Sequence, residues 1–318
     1  MYAYSEPEEI QVRLNIADEA SLLDRYITEL KDGSLQLRLT SSVLTFNHTF
    51  VNGHPRDMHI AFVAHSHTYI FSPGSPQERV FPLSVSLVWA KYFTPFDALA
   101  TIDKYYDKWA RDPAGKYFDL ISELSHKGVR RKIISEKILS MWIRKGHLAR
   151  AQGTYMHRQI ELALAGEIYD GKDIEMQQFL RFLYTYLEPY GFYVYRLEWS
   201  IYDEDNMVAG QLDALLCSPS GYHLFDWKRC REPLDPFAKS CFRRYGLPPC
   251  HGLLDNPCNH YFIQQNLYAA ILSRKYNIVV SSMHLLQLHP ELDNYKMIAV
   301  PDYSTIAHTL LDTATSAP

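Results

Sequence analysis

Three apolar, strand-like runs follow one another between residues 192 and 228, with only short turn segments between them. They are Phe192 to Tyr202, Met207 to Cys217 and Tyr222 to Lys228. The separators, Asp203-Glu204-Asp205-Asn206 and Ser218-Pro219-Ser220-Gly221, have the composition of tight turns. Strands joined so closely pair as antiparallel neighbours, so a three-stranded meander is expected at the centre of the fold. Upstream, Gly153 to Ala165 reads as a helix ending at Gly166, and Asp173 is placed to cap a second helix. In that second helix Met176, Phe179, Leu180, Leu183, Tyr186 and Leu187 recur at helical spacing before Pro189-Tyr190-Gly191 ends it. Downstream come a loop rich in Pro and Cys, a helix from about Asn259 to Tyr276, and an apolar strand from Ile278 to His289. The order helix, three strands, helix, strand predicts an α/β (α+β) domain.

The rest of the chain is read more coarsely. Leu35 to Phe50 and His59 to Phe71 contain short alternating runs that suggest strands, and Pro73-Gly74-Ser75-Pro76 is a break. From Leu83 to Trp142 the pattern is mostly helical, interrupted at Pro95 and Pro113. The 47% hydrophobic and 21% charged residues are those of a globular chain. A net charge of −4 removes the argument for a generally basic nucleic-acid-binding domain. It leaves room for a local basic path, and Arg130, Arg131, Lys132, Arg144 and Lys145 are the candidates for contacts to phosphate. The 23 tyrosines serve cores and interfaces as readily as base stacking. No run of apolar residues is long enough to span a bilayer. The acidic start, Met1 to Glu9, has the character of neither a secretory signal nor a transit peptide, so an intracellular setting is expected.

Register arithmetic collects the polar residues. Alternate residues share a strand face, which groups Leu224, Asp226 and Lys228 against Phe225 and Trp227. If Ser218 to Gly221 closes its hairpin symmetrically, Asp213 stands opposite Asp226, about 4.5–5.5 Å away between Cβ atoms. Two facing carboxylates repel, which points to a divalent cation between them, and removing either should relieve the metal-free protein. If the other hairpin turns over Asp203 to Asn206, Glu198 faces Gln211 and lies diagonal to Asp213. On the preceding helix Gly153, His157 and Glu161 form one stripe, so His157 can offer an imidazole and Glu161 can assist it. Gln264 and Tyr268 form a further i, i+4 pair.

In this order, Gly153-x3-His157-x2-Ile160-Glu161, Gly210-Gln211-Leu212-Asp213, Asp226-Trp227-Lys228 and Gln264-x3-Tyr268 resemble the PD-(D/E)xK nuclease superfamily. Within it they are similar to the RecB-like, Cas4-like branch that includes phage and mitochondrial genome-maintenance exonucleases. The resemblance covers roughly residues 149–289 and extends upstream through Ser84-Val85-Ser86, Tyr92-Phe93-x2-Phe96-Asp97-Ala98 and Trp142-x3-Gly146. It implies a restriction-endonuclease-like core with a mixed central sheet flanked by helices. The implied division is an N-terminal appendage over 1–75, partly β, and a nuclease domain over 76–300. That domain has a helical lead-in at 83–148 and a catalytic core at 149–289, and a C-terminal tail over 301–318 follows.

The resemblance further implies a metal-dependent deoxyribonuclease, an exonuclease working on single-stranded DNA or DNA ends. It implies Mg²⁺ or Mn²⁺ held by His157, Asp213, Asp226 and the Trp227 carbonyl. Lys228 would act on the attacking water and on developing phosphorane charge, Glu198 and Glu161 would be accessory acids, Gln211 would contact the substrate, and Gln264 and Tyr268 would hold the substrate strand or brace Lys228. A decayed nucleic-acid-binding or scaffold module on the same fold is the alternative, and the intact Asp213, Asp226 and Lys228 speak against it. Some relatives carry an iron–sulfur cluster with a cysteine upstream of the His motif. This chain has no cysteine before Cys217, so no such cluster is expected. Zinc at Cys241, Cys250 and Cys258 is not expected either, because Cys250-x7-Cys258 fits no common spacing.

Overall fold

The computed structural model describes residues 52–63, 66–238 and 244–315. Leu35 to Phe50 and Cys241 lie outside them. The chain divides into two compact units, one formed by residues 1–94 and 155–318, the other by Pro95–Thr154. No helix among the described residues is long and apolar enough to cross a membrane.

The larger unit is a mixed sheet between helices. An antiparallel trio, β1 (Ile60–Val63), β2 (Thr68–Phe71) and β3 (Arg79–Val80), precedes the main sheet. The main sheet contains β4 (Leu83–Ser84), β5 (Tyr193–Asp203), β6 (Val208–Ser218), β7 (Gly221–Arg229), β8 (Val280–Leu288) and β9 (Lys296–Ala299). The helices are α1 (Val85–Ala90), α2 (Ala98–Arg111), α3 (Phe118–His126), α4 (Arg131–Ala165), α5 (Ile174–Phe182), α6 (Pro257–Tyr276) and α7 (Ser304–Asp312). Helix α6 runs between β7 and β8, which pair in parallel, while β5–β6, β6–β7 and β8–β9 are antiparallel. On one face Trp199, Ile201, Leu212 and Leu224 pack with Ile263, Leu267 and Ile271 of α6 and with Leu310 and Leu311 of α7. On the other, Phe225, Trp227, Leu286 and Leu288 pack with Phe179 and Phe182 of α5 and with Met156, Ile160 and Leu164 at the end of α4.

Several expectations need correction. Residues 153–165 are not a separate helix but the last part of α4, which runs unbroken from Arg131. No proline occurs between Pro113 and Pro189, and the two interior glycines of α4, Gly146 and Gly153, each cost a helix only about 1 kcal/mol. Within the expected tail over 301–318, Ser304–Asp312 form α7. Ala307, Leu310, Leu311 and Ala314, spaced three or four apart, bury themselves in the main core. The lead-in also splits, since β4 and α1 belong to the sheet unit and Pro95–Thr154 form the other unit. That smaller unit has its own core of Ile102, Tyr106, Tyr117, Ile121, Ile134 and Ile138.

Residues 52–71 are tied to the sheet by polar contacts. Asp57 accepts from Arg196 at 2.7 Å and from Trp199 Nε1 at 2.8 Å, and Asn52 donates to the Tyr195 carbonyl at 2.9 Å.

Candidate metal and phosphate site

The site is a fork in the sheet. On one edge β5 pairs Val208 to Leu212 and Ala214 to Cys217 of β6. On its other edge β4 pairs Val208 and Ala209, and β7 pairs Ala214 to Ser218. Gly210 to Asp213 therefore have no strand partner on that edge, and side chains close the gap. Gly210 admits Tyr268 and Val85, because a Cβ there would stand 2.7 Å from Tyr268 Cε1 and 2.8 Å from Val85 Cγ2. The Tyr69 hydroxyl, from β2, meets the Gln211 backbone. Asp213 Oδ2 accepts the Trp227 N–H at 2.8 Å, so a carboxylate takes the place of a ladder bond where β6 and β7 part.

The β6–β7 register is the expected one from Ser218↔Gly221 to Ala214↔Phe225, but it ends there, so the expected Asp213↔Asp226 pair is not part of the ladder and the Asp213 carboxylate meets the Trp227 N–H instead. The β5–β6 register differs from expectation by two residues. Asp203 stays in the strand opposite Val208, so the turn covers Glu204 to Met207. Its carboxylate accepts the N–H groups of Asp205 and Asn206, at 3.1 and 3.3 Å, and Met207 takes the left-handed conformation. Glu198 consequently does not face Gln211, which pairs with Ser200. It lies between Leu197↔Ala214 and Trp199↔Leu212, directly across from Asp213. Glu198 itself has φ of +43°, a strained value that persists only where its surroundings fix it. Gln211 Nε2 donates to the Glu198 carbonyl at 3.0 Å.

His157, Glu198 and Asp213 each present a ligand atom, all within 4.8 Å of one another. His157 Nδ1 lies 3.4 Å from Asp213 Oδ2. Asp226, almost fully buried, is ion-paired with Lys228, Oδ2 to Nζ 2.6 Å. The Lys228 ammonium also sits 4.4 Å from the centre of the Tyr261 ring. Gln264 Nε2 donates to the Tyr268 hydroxyl at 3.1 Å, so this pair braces itself while Tyr261 braces Lys228. Glu161 is buried and held by Arg158 at 2.6 Å.

Charge crowding marks the cluster. Burial first, then Asp213, Glu161 and Asp226, push the Glu198 carboxyl well above its usual range, with Arg158 opposing. Burial likewise raises Asp226 to about 6, with Lys228 pulling it down and Asp213 pushing it up. Burial works against the Lys228 ammonium, but Asp226 and Asp213 outweigh it and its pKa rises. A carboxyl whose pKa is raised on folding contributes stability at low pH that is lost as pH rises through the folded value. Metal-free protein should therefore lose melting temperature from about pH 4.5 upward, and Glu198→Gln should flatten that decline. Melting curves in chelator across pH 4 to 8 measure this, and identical profiles for the two proteins would mean that Glu198 is solvated.

The donor set is one that could hold a divalent cation: two carboxylates and an imidazole are all metal-ligating groups, and the repulsion between the carboxylates is what such an ion relieves. Among the residues expected in the site, Asp213, Glu198 and His157 converge, and Asp226 with Lys228 forms an adjoining pair. Of the basic candidates Arg131 is already engaged, with Asp103 at 2.8 Å, Asp107 at 2.9 Å and the Tyr106 ring at 4.4 Å. Arg130, Arg131, Lys132, Arg144 and Lys145 belong to the smaller unit. Sequence reasoning missed Tyr261 and Tyr69. Tyr261 precedes Gln264 by three and Tyr268 by seven, so helical spacing carried its signal; Tyr69 comes from a distant strand and gave none.

No family model matches the chain, and no curated protein matches it. Among solved structures, the crystal structure of SSO0001 aligns with 34% of this chain at 14% identity and a TM-score of 0.20. The chain spans 40% of that structure, and a similarity of this extent carries no argument about function.

Proposed function

We propose that the protein is a divalent-cation-dependent nuclease that hydrolyses phosphodiester bonds in DNA, at single strands or ends. The observation that carries this reading is the convergence of His157, Glu198 and Asp213 beside a lysine that Asp226 and Tyr261 hold in place. His157, Glu198 and Asp213 would hold Mg²⁺ or Mn²⁺, with Asp226 alongside. The cation would supply Lewis-acid polarisation of the phosphate and a more acidic water. Lys228, kept charged by Asp226, is suited to offsetting charge that develops on the non-bridging oxygens. Its raised pKa favours that role over taking a proton from water.

The smaller unit is suited to the phosphate backbone. Pro95–Thr154 carry twelve Lys and Arg against seven Asp and Glu, a net +5 in a chain of −4. Between Lys127 and Arg150 the excess is eight to one. If Arg130, Lys132, Arg144 and Lys145 contact phosphates, replacing all four should weaken binding regardless of base sequence. Each lost contact should flatten the slope of log K against log salt by about 0.7 for single strands. Titrations at several salt concentrations measure it, and equal slopes would place the phosphate path elsewhere.

The direct test is end-labelled DNA, single- and double-stranded, with an RNA control, incubated with Mg²⁺, Mn²⁺ or chelator. Cation-dependent cleavage that Asp213→Asn abolishes is expected. No cleavage of any substrate by a protein that binds Mn²⁺ would leave a binding module in place of an enzyme.

A further inference from the structure

Phe237 exposes 81% of its surface, yet the backbone that presents it is held on both sides by buried amides. Gln287, with none of its surface exposed, donates to the carbonyls of Cys230 and Glu232, both at 2.9 Å, and accepts from Leu234 N–H at 3.2 Å. Asn256 donates to the carbonyls of Pro236 and Ala238, at 3.0 and 3.1 Å. Asn259 adds a second bond to Pro236 at 3.0 Å. Both neighbours of Phe237 are thus clamped, and its own N–H is accepted by Asp235 Oδ1 at 2.8 Å. Leu234 anchors the start of the loop against Cys258, Phe262 and Leu285. Asn256 and Asn259 are buried as completely as core residues. Asn256 also caps α6 by accepting the Asn259 N–H at 2.9 Å, and Asn259 also donates to the Leu254 carbonyl at 3.0 Å, so the backbone that presents the exposed phenyl ring is tied to the start of that helix.

The same frame reaches the lysine of the site. Gln287 is the register partner of Lys228 in the β7–β8 pair. Tyr261, whose ring lies against the Lys228 ammonium, follows Asn259 by two residues on α6. An exposed aromatic ring is therefore fixed to the two elements that also position the residue suited to the phosphate. A flat, apolar, π-faced ligand joined to a phosphate is a nucleobase, and a base offers its face only when it is not stacked within a duplex.

We propose that Phe237, on the loop that leaves β7 after Lys228, is a stacking platform for an unpaired nucleobase of the strand whose phosphodiester Lys228 would contact. This rests on the nuclease reading and deepens it. The test uses the full chain with 2-aminopurine-labelled single-stranded oligonucleotides and blunt duplexes of the same sequence. Affinity and fluorescence are read in Ca²⁺, and cleavage is read in Mg²⁺ or Mn²⁺. Phe237→Ala should weaken single-strand binding by about 5- to 150-fold, the range expected for one base–aromatic stack, and should remove the quenching of 2-aminopurine. Phe237→Trp should retain both. Phe237→Leu, which keeps apolar bulk without a π face, should behave as the alanine variant, and duplex affinity should not move. The position is exposed, so all three variants are expected to fold. Unchanged affinity and quenching in Phe237→Ala, or full rescue by leucine, would overturn the platform while wild-type cleavage keeps the nuclease reading. Wild-type protein that neither binds nor cleaves any strand would overturn both.

Discussion

Replacing Lys228 with alanine is expected to slow single-turnover DNA cleavage by on the order of 10²–10³, the usual consequence of removing one fixed charge from a developing oxyanion. Binding of cation and of single-stranded DNA should change little, since backbone binding draws on many phosphate contacts. The ion pair with Asp226 at 2.6 Å and the Tyr261 ring at 4.4 Å fix the ammonium, so its charge requires no reorganisation when it acts. Lys228→Arg separates two roles. A guanidinium carries charge but surrenders no proton near neutral pH. Because Asp226 and Asp213 hold Lys228 in its charged form, arginine should recover part of what alanine loses. Arginine as inactive as alanine would instead point to proton transfer. Cleavage at the wild-type rate by Lys228→Ala would remove the lysine from the mechanism. Loss of cation binding alongside activity would make its role structural, because unpaired Asp226 would then be a buried charge.

Much of this arrangement was legible in the sequence because it is local. Period-two alternation placed Asp226 and Lys228 on one face and Phe225 and Trp227 on the other, and the two-residue turn at Pro219-Ser220 set the β6–β7 register. The other hairpin misled, because composition marks a turn without fixing its ends. Asp203 looks like a turn residue, and it does organise the turn, but from a strand position. Two residues of register converted Glu198 from a diagonal neighbour of Asp213 into its direct opposite. Similarly, nothing in the spacing around Gly153 reveals that α4 continues through it, since glycine weakens a helix without ending it. What no local pattern could supply was the fork itself. Two strands from distant parts of the chain share one edge of β6, and the gap between them is filled from β2, α1 and α6.

The fork also changes what the removal of Asp213 should do. If its carboxylate merely faced others, truncation would relieve repulsion and leave the metal-free fold more stable. Asp213 Oδ2, however, accepts the Trp227 N–H where no ladder bond is available. Asp213→Ala therefore orphans an N–H group in a buried part of the strand, a loss of about 1–3 kcal/mol that offsets the relieved repulsion. Asp213→Asn keeps an oxygen for that bond while removing the charge crowded against Glu198. In chelator at neutral pH the asparagine variant should melt above wild type and the alanine variant below the asparagine one. Both should lose cation-dependent cleavage, because an amide or a methyl group replaces one of three converging donors. Differential scanning calorimetry in chelator and calorimetric titration with Mn²⁺ test the two halves separately. Asparagine melting well below wild type would make the charge itself structural, and Mn²⁺ affinity equal to wild type in both variants would place the cation away from Asp213.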